Sequence, residues 1–144
     1  MTAGSGGGHE AAWTAAQRDV VAAIDAYLQA TEDRDLTTAH GMLAENADLV
    51  FPAATRFGDL QAMATAAAGR YRWIRKHRDH YAIGSDEQGR LVITSRGRLY
   101  GENLDGRRFD DVRYVDVFVL DEGRIVEQHV WNDLAETGVL DRTR

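Results

Sequence analysis

The chain has 144 residues, no cysteine and a formal net charge of -6, with 44% hydrophobic against 28% charged residues. That length suits one domain with a real core and falls short of two, in a composition ordinary for a globular protein. The acidic balance argues against a nucleic-acid surface, the lack of cysteine excludes disulfides and thiol chemistry, and no apolar run approaches the roughly 18 residues of a membrane span.

Met1 to Gly8 is rich in glycine and serine and lacks the charged start and apolar centre of a signal peptide. Residues 1–9 are therefore expected to be a flexible tail, residues 10–144 a single domain, and the protein cytoplasmic. Helical spacing starts near Glu10 and places Val20, Ile24, Tyr27, Leu28 and Thr31 on one face. Glu32 to Asp35 ends that helix, and Asp35 is a fair N-cap for a short second one through Leu36, Ala39 and Leu43. Asp48 to Phe51 reads as a short strand stopped by Pro52, the only proline. A third helix begins after Gly58, with Asp59 as N-cap, and is expected to bury Leu60, Met63, Ala67, Tyr71 and Ile74. Its last turns would carry the basic cluster Arg70, Arg72, Arg75, Lys76 and Arg78, cations that suit the negative pole of a helix.

The period then changes from 3.6 to 2. Strand-like runs cover about 80–83, 90–100, 111–120 and 124–132, separated by turn signals at Asp86-Glu87-Gln88-Gly89, Asp105-Gly106 and Glu122-Gly123. Helices followed by antiparallel strands predict an α+β domain with helices on one face of a curved meander. The run from Tyr114 to Leu120 is apolar on both sides, with Tyr114, Phe118 and Leu120 on one and Val115, Val117 and Val119 on the other. Helices can cover only one of these faces. A second copy of the chain is expected on the other, where Trp131 would add to the surface, making a homodimer.

Asp116 interrupts that run. A carboxylate there is costly if dry and unpaired, so it is either a site residue or half of a buried pair. Arg113 has the wrong strand parity to be its partner. His80 is the best general-base candidate, since histidine titrates near neutrality unaided; the competing reading is a core or exposed histidine. His77 and His80 have no matching further ligands, so no metal is expected. Tyr27 on its apolar helix face is a pocket donor or a core tyrosine. Trp73 and Tyr114 are pocket walls or core. Gln128, Val130 and Asn132 share a strand face and would line a pocket if that face turns inward, with His129 pointing away.

Three segments, Tyr27 to Leu36, Ala44 to Val50 and Val117 to Ile125, together with the order of elements, resemble the nuclear transport factor 2-like superfamily. It includes SnoaL-like polyketide cyclases, ketosteroid isomerases, scytalone dehydratases and limonene epoxide hydrolases. The resemblance covers about residues 12–140. It implies a cone-shaped α+β barrel, with three N-terminal helices packed on a curved, mostly antiparallel sheet that encloses a pocket. Tyr27 falls where ketosteroid isomerases place the tyrosine that donates to the developing oxyanion, and Asp116 where they keep a protonated aspartic acid. Phe51 stands at their general-base position and moves no proton. His80 falls where scytalone dehydratases place a basic histidine, although their pocket tyrosine is again Phe51. The catalytic aspartate of limonene epoxide hydrolases corresponds to Val130.

The resemblance therefore implies a small-molecule lyase or isomerase of dehydratase, cyclase or isomerase type, using general acid/base chemistry on a hydrophobic carbonyl-bearing substrate. His80 would move the proton, and Tyr27 with a neutral Asp116 would stabilise the oxygen. Phe51, Trp73 and Tyr114 would hold the apolar body, with contacts added by Gln128, Val130 and Asn132. No cofactor, metal, nucleic acid or membrane is expected. The alternative is a non-catalytic small-molecule-binding or dimerisation domain of the same fold, which the phenylalanine at position 51 favours.

Overall fold

Thr14 closes a capping box at the start of the first helix: its hydroxyl accepts from the Gln17 N–H while the Gln17 side chain accepts from the Thr14 N–H. The computed structural model describes residues 13–142, so the tail and the helix start expected near Glu10 lie outside the described residues. Helix α1 (Ala15–Glu32) buries Val21, Ile24, Tyr27, Leu28, Ala30 and Thr31. Asp35 caps α2 (Leu36–His40), which ends earlier than its spacing suggests; Leu43 instead opens strand β1 (Leu43–Phe51). A single 3-10 turn (Pro52–Ala54) leads to β2 (Thr55–Phe57), and Asp59 caps α3 (Leu60–Ala68) as expected, accepting from the Ala62 N–H at 2.8 Å.

Here the structure corrects the sequence reading. Helix α3 stops at Ala68 with Gly69 as its C-cap, and Tyr71 and Ile74 belong to β3 (Tyr71–Ser85). Ala67, Tyr71 and Ile74 have helical spacing, but Tyr71-Arg72-Trp73-Ile74 is also good strand material. Pairing with β4 (Leu91–Asn103) along nearly its whole length settles the competition. Of the basic cluster, Arg72, Arg75, Lys76 and Arg78 therefore lie along a strand, with Arg70 in the turn before it. Strands β5 (Arg108–Asp121) and β6 (Arg124–Asn132) follow, then a short helix α4 (Leu134–Thr137) that the sequence reading lacked.

Among the described residues six strands form one curved sheet in the order β2-β1-β6-β5-β4-β3, antiparallel except where β1 runs parallel to β6. Register sorts its side chains into two sets. Tyr81, Ser95, Asp116 and Val130 form a row across β3, β4, β5 and β6 on the face covered by α1. The neighbouring row, His80, Arg96, Val115 and Trp131, faces away. The main core packs Ile24, Tyr27 and Leu28 of α1 on Leu49, Ile93, Phe118 and Ile125; a smaller cluster joins Leu99, Val112, Tyr114 and Leu134. Among the described residues no helix is long and apolar enough to cross a membrane.

One irregularity decides what reaches the inner face. His77 pairs with Arg98 and His80 with Arg96, so Arg78 and Asp79 stand opposite the single residue Gly97. This is a β-bulge. Lys76 before it and Arg78 within it point inward; after it the alternation is reversed, and Tyr81 points inward while His80 is exposed on the outside.

Candidate functional site

Asp116 lies in the middle of the inner face, fully buried. Its ion partner is Lys76, whose Nζ is 3.1 Å from Oδ2 and whose side chain remains 17% exposed. Neither carboxylate oxygen has a hydrogen bond of ordinary geometry. To reach Asp116, the Lys76 side chain passes the Tyr114 ring, with Nζ 5.1 Å from the ring centre. The Tyr114 and Ser95 hydroxyls share a hydrogen bond of 2.9 Å. Tyr27, edge-on to Phe118, donates its hydroxyl to Gln128 Oε1 at 2.7 Å.

Burial pushes the Asp116 carboxyl above the usual carboxylate range, and the nearby Lys76 charge opposes that shift without cancelling it. Burial also raises the Tyr27 and Tyr114 phenols above the ordinary tyrosine range, and the negative charge of Asp116 adds to both shifts. Both phenols are thus neutral donors at any physiological pH. Removing the Tyr27 hydroxyl would strand the Gln128 oxygen in a dry environment. Tyr27→Phe is expected to lose about 1–2 kcal/mol of stability in urea unfolding; an unchanged midpoint would mean that Gln128 finds another donor.

A second layer of charge fastens α1 to β3. Arg78 donates to Asp25 at 2.7 Å and to Gln29 at 2.8 Å, and also pairs with Glu32. Tyr81 donates to the same Asp25 oxygen at 2.6 Å, and the Lys76 backbone N–H donates to Glu32. Among the described residues no group of three or more histidines and acids converges as a metal site requires.

No family model matches the sequence, and no curated protein matches it. Solved structures do match the architecture. TerC, co-crystallised with polyporic acid, superposes with a TM-score of 0.70 at 13% identity, over 85% of this chain and 98% of that one. A putative SnoaL-like polyketide cyclase from Jannaschia sp. gives 0.70 at 13% identity, over 92% and 98%. A nuclear transport factor 2-like protein of unknown function from Burkholderia pseudomallei gives 0.67 at 18% identity, over 85% and 98%. The chain has the nuclear transport factor 2-like fold. Identities this low carry the fold, and the chemistry rests on the residues themselves.

The nuclear transport factor 2-like cone brings Tyr27, Tyr114, Asp116, Gln128 and Val130 onto its inner side. Phe51 is partly buried against the main core and edge-on to Phe57 at 5.3 Å. Two other candidates stand apart, and Asn132 sits at the end of the inner face opposite Tyr114. His80 is exposed on the outer face, behind the sheet from Asp116. Trp73 alternates with the inward Ile74, so its ring lies outside against Tyr100, with Arg108 over it. Asn132 accepts from the Leu134 N–H at 3.1 Å and serves the turn into α4. Arg113, disfavoured by parity as a partner of Asp116, pairs with Asp133 at 2.8 Å.

Sequence reasoning missed Lys76 and Arg78 as inner residues because it placed them on a helix end. Gly69, a helix-stopping residue two positions before Tyr71, was the available signal.

Proposed function

We propose that this chain binds a small, largely apolar, carbonyl-bearing molecule in its cone and carries out a lyase or isomerase reaction on it by acid–base chemistry, without a cofactor. The observation that carries this reading is Asp116: fully buried, without a hydrogen bond of ordinary geometry at either oxygen, and balanced by one ion partner 3.1 Å from Oδ2. A buried pair with unfilled hydrogen bonds is a poor stability device and a good proton carrier. Tyr27, on releasing its bond to Gln128, and the Asp116 carboxyl would donate to the carbonyl oxygen as negative charge develops, and Lys76 would exchange the proton. Phe51, Tyr114 and Val130 supply apolar wall. His80 has no part in this reading, because it stands behind the sheet. Solved structures of this fold named as polyketide cyclases, and one co-crystallised with polyporic acid, support a small-molecule site. The absence of cysteine suits a reducing compartment, and we place the protein in the cytoplasm.

The test follows α-proton exchange of an enolisable cyclic ketone in deuterated buffer by NMR. Wild-type protein is expected to accelerate exchange, Asp116→Asn to keep part of the rate as a neutral donor, and Asp116→Leu to lose about 100-fold. Equal rates for the two variants would sink the donor role. Exchange at the buffer rate for all three would favour a second reading, a non-catalytic carrier or dimerisation module. The outward His80 and the phenylalanine at position 51 both favour that alternative.

The outer face suits a homodimer under either reading. Trp131 is 57% exposed beside Val115, in an open groove of about 920 Å³ that also holds Arg96, Arg98, Asp79 and Asp133. Arg98 with Asp79 and Asp133 with Arg113 are already paired within the chain, so the apolar strip of Val115 and Trp131 would carry the two-fold contact. Light scattering is expected to give a dimer for the wild type and a monomer for Trp131→Glu; a monomeric wild type would refute the contact.

A further inference from the structure

Lys76 is the only lysine among the chain's 17 lysines and arginines. Elsewhere the chain meets an acid with a guanidinium: Arg56 on Asp48, Arg90 on Asp86, Arg98 on Asp79, Arg113 on Asp133, and Arg78 inside the α1 network. At Asp116 a guanidinium fork could have bonded both carboxylate oxygens, whereas lysine leaves them without a hydrogen bond of ordinary geometry. Charge balance alone therefore favours arginine at this position. What lysine offers instead is an amine that can give up its proton and attack carbon, which arginine cannot do.

We propose that Lys76 is an amine nucleophile that forms an iminium with the carbonyl carbon of the bound molecule, with Asp116 as its proton relay. This rests on the carbonyl-bearing substrate proposed above. The Lys76 side chain is 17% exposed, its acid partner 3.1 Å away is fully buried, and the Tyr114 ring lies alongside with its centre 5.1 Å from Nζ. In the first step the ammonium passes a proton to Asp116, a transfer that burial of the carboxyl makes less costly. The neutral amine then adds to the carbonyl carbon, forming the C–N bond as the C=O π electrons move to oxygen. Asp116 gives its proton to that oxygen and takes one from the nitrogen, leaving a neutral carbinolamine. Finally Asp116 protonates the hydroxyl, the C–O bond breaks, water leaves, and the nitrogen lone pair closes the C=N bond. The products are an iminium cation, an Asp116 carboxylate and one water, so no oxidant or reductant is needed. The cation rests where the ammonium stood, against the same carboxylate, and it draws electrons from the neighbouring carbon as a lyase or isomerase step requires.

The single lysine makes the test clean, because the chain's α-amine is the only other primary amine. Acetylacetone, a 1,3-diketone, converts a nucleophilic amine into a stable enaminone, read by near-ultraviolet absorbance and by peptide mass mapping. Wild-type protein is expected to gain one adduct on Lys76 faster than on the α-amine, and Lys76→Arg to gain none in that peptide. A Lys76 left unmodified, or modified no faster than the α-amine, overturns the proposal. Thermal shifts with polyporic acid then separate two failures. A saturable rise in melting temperature with Lys76 unmodified removes the amine and keeps the cone site; no rise and no adduct removes both.

Discussion

Lys76→Met is expected to lower the unfolding free energy by about 3–5 kcal/mol near neutral pH, because it leaves Asp116 buried without its ion partner. The loss should depend on pH with a definite sign. Without Lys76 the factor that holds the Asp116 carboxyl down is gone, and burial drives it further above the usual range. A carboxyl raised in the folded state binds its proton more tightly there than in the unfolded chain. Its contribution is fully present below the unfolded value of about 3.9 and is lost as pH rises through the folded value, at up to about 1.4 kcal/mol per pH unit. The variant should therefore approach wild-type stability near pH 4 and fall away toward neutrality. Pairing it with Asp116→Leu replaces both charges by apolar groups and should recover most of the loss. Urea unfolding across that pH range checks this, and a pH-independent loss in the single variant would show that Asp116 is not a dry, dependent charge.

Gly97→Ala is the second severe substitution. A Cβ at Gly97 would sit 1.9 Å from the His77 carbonyl oxygen and 2.9 Å from the Asp79 nitrogen. Both are backbone atoms of the bulge, so neither can swing aside as a side chain would. The bulge must open or the β3–β4 pairing must slip, and we expect a loss of more than about 3 kcal/mol. Gly84→Ala, in the same β3 strand with nothing within 4 Å of its Cβ, is the control and should stay within about 0.5 kcal/mol. Thermal unfolding of the two variants makes the comparison, and equal small effects would mean that the strands separate there without penalty. A slip would also cost Arg78 its bonds to Asp25 and Gln29 on α1.

Much of this architecture is written in adjacent residues. Asp35 and Asp59 announce their helices because a cap bonds to an N–H three positions on. Glu122-Gly123 and Asp105-Gly106 mark hairpins because their backbone turns need positive φ at glycine. Asp116 betrays its burial because apolar groups flank it on both sides within one strand. Those signals are short-range, so composition and period are enough to read them, and the outline of the cone follows. The partner of Asp116 is not readable in this way. Lys76 lies 40 positions earlier, in a segment that local spacing assigns to a helix and that strand pairing claims for the sheet. The face of His80 depends on something still less local. Simple alternation from Lys76 would carry it inward beside Asp116, and one extra residue opposite Gly97 turns it to the outside. Parity along a strand belongs to the strand, but a bulge belongs to the pair, and its place is set by the neighbour across the sheet.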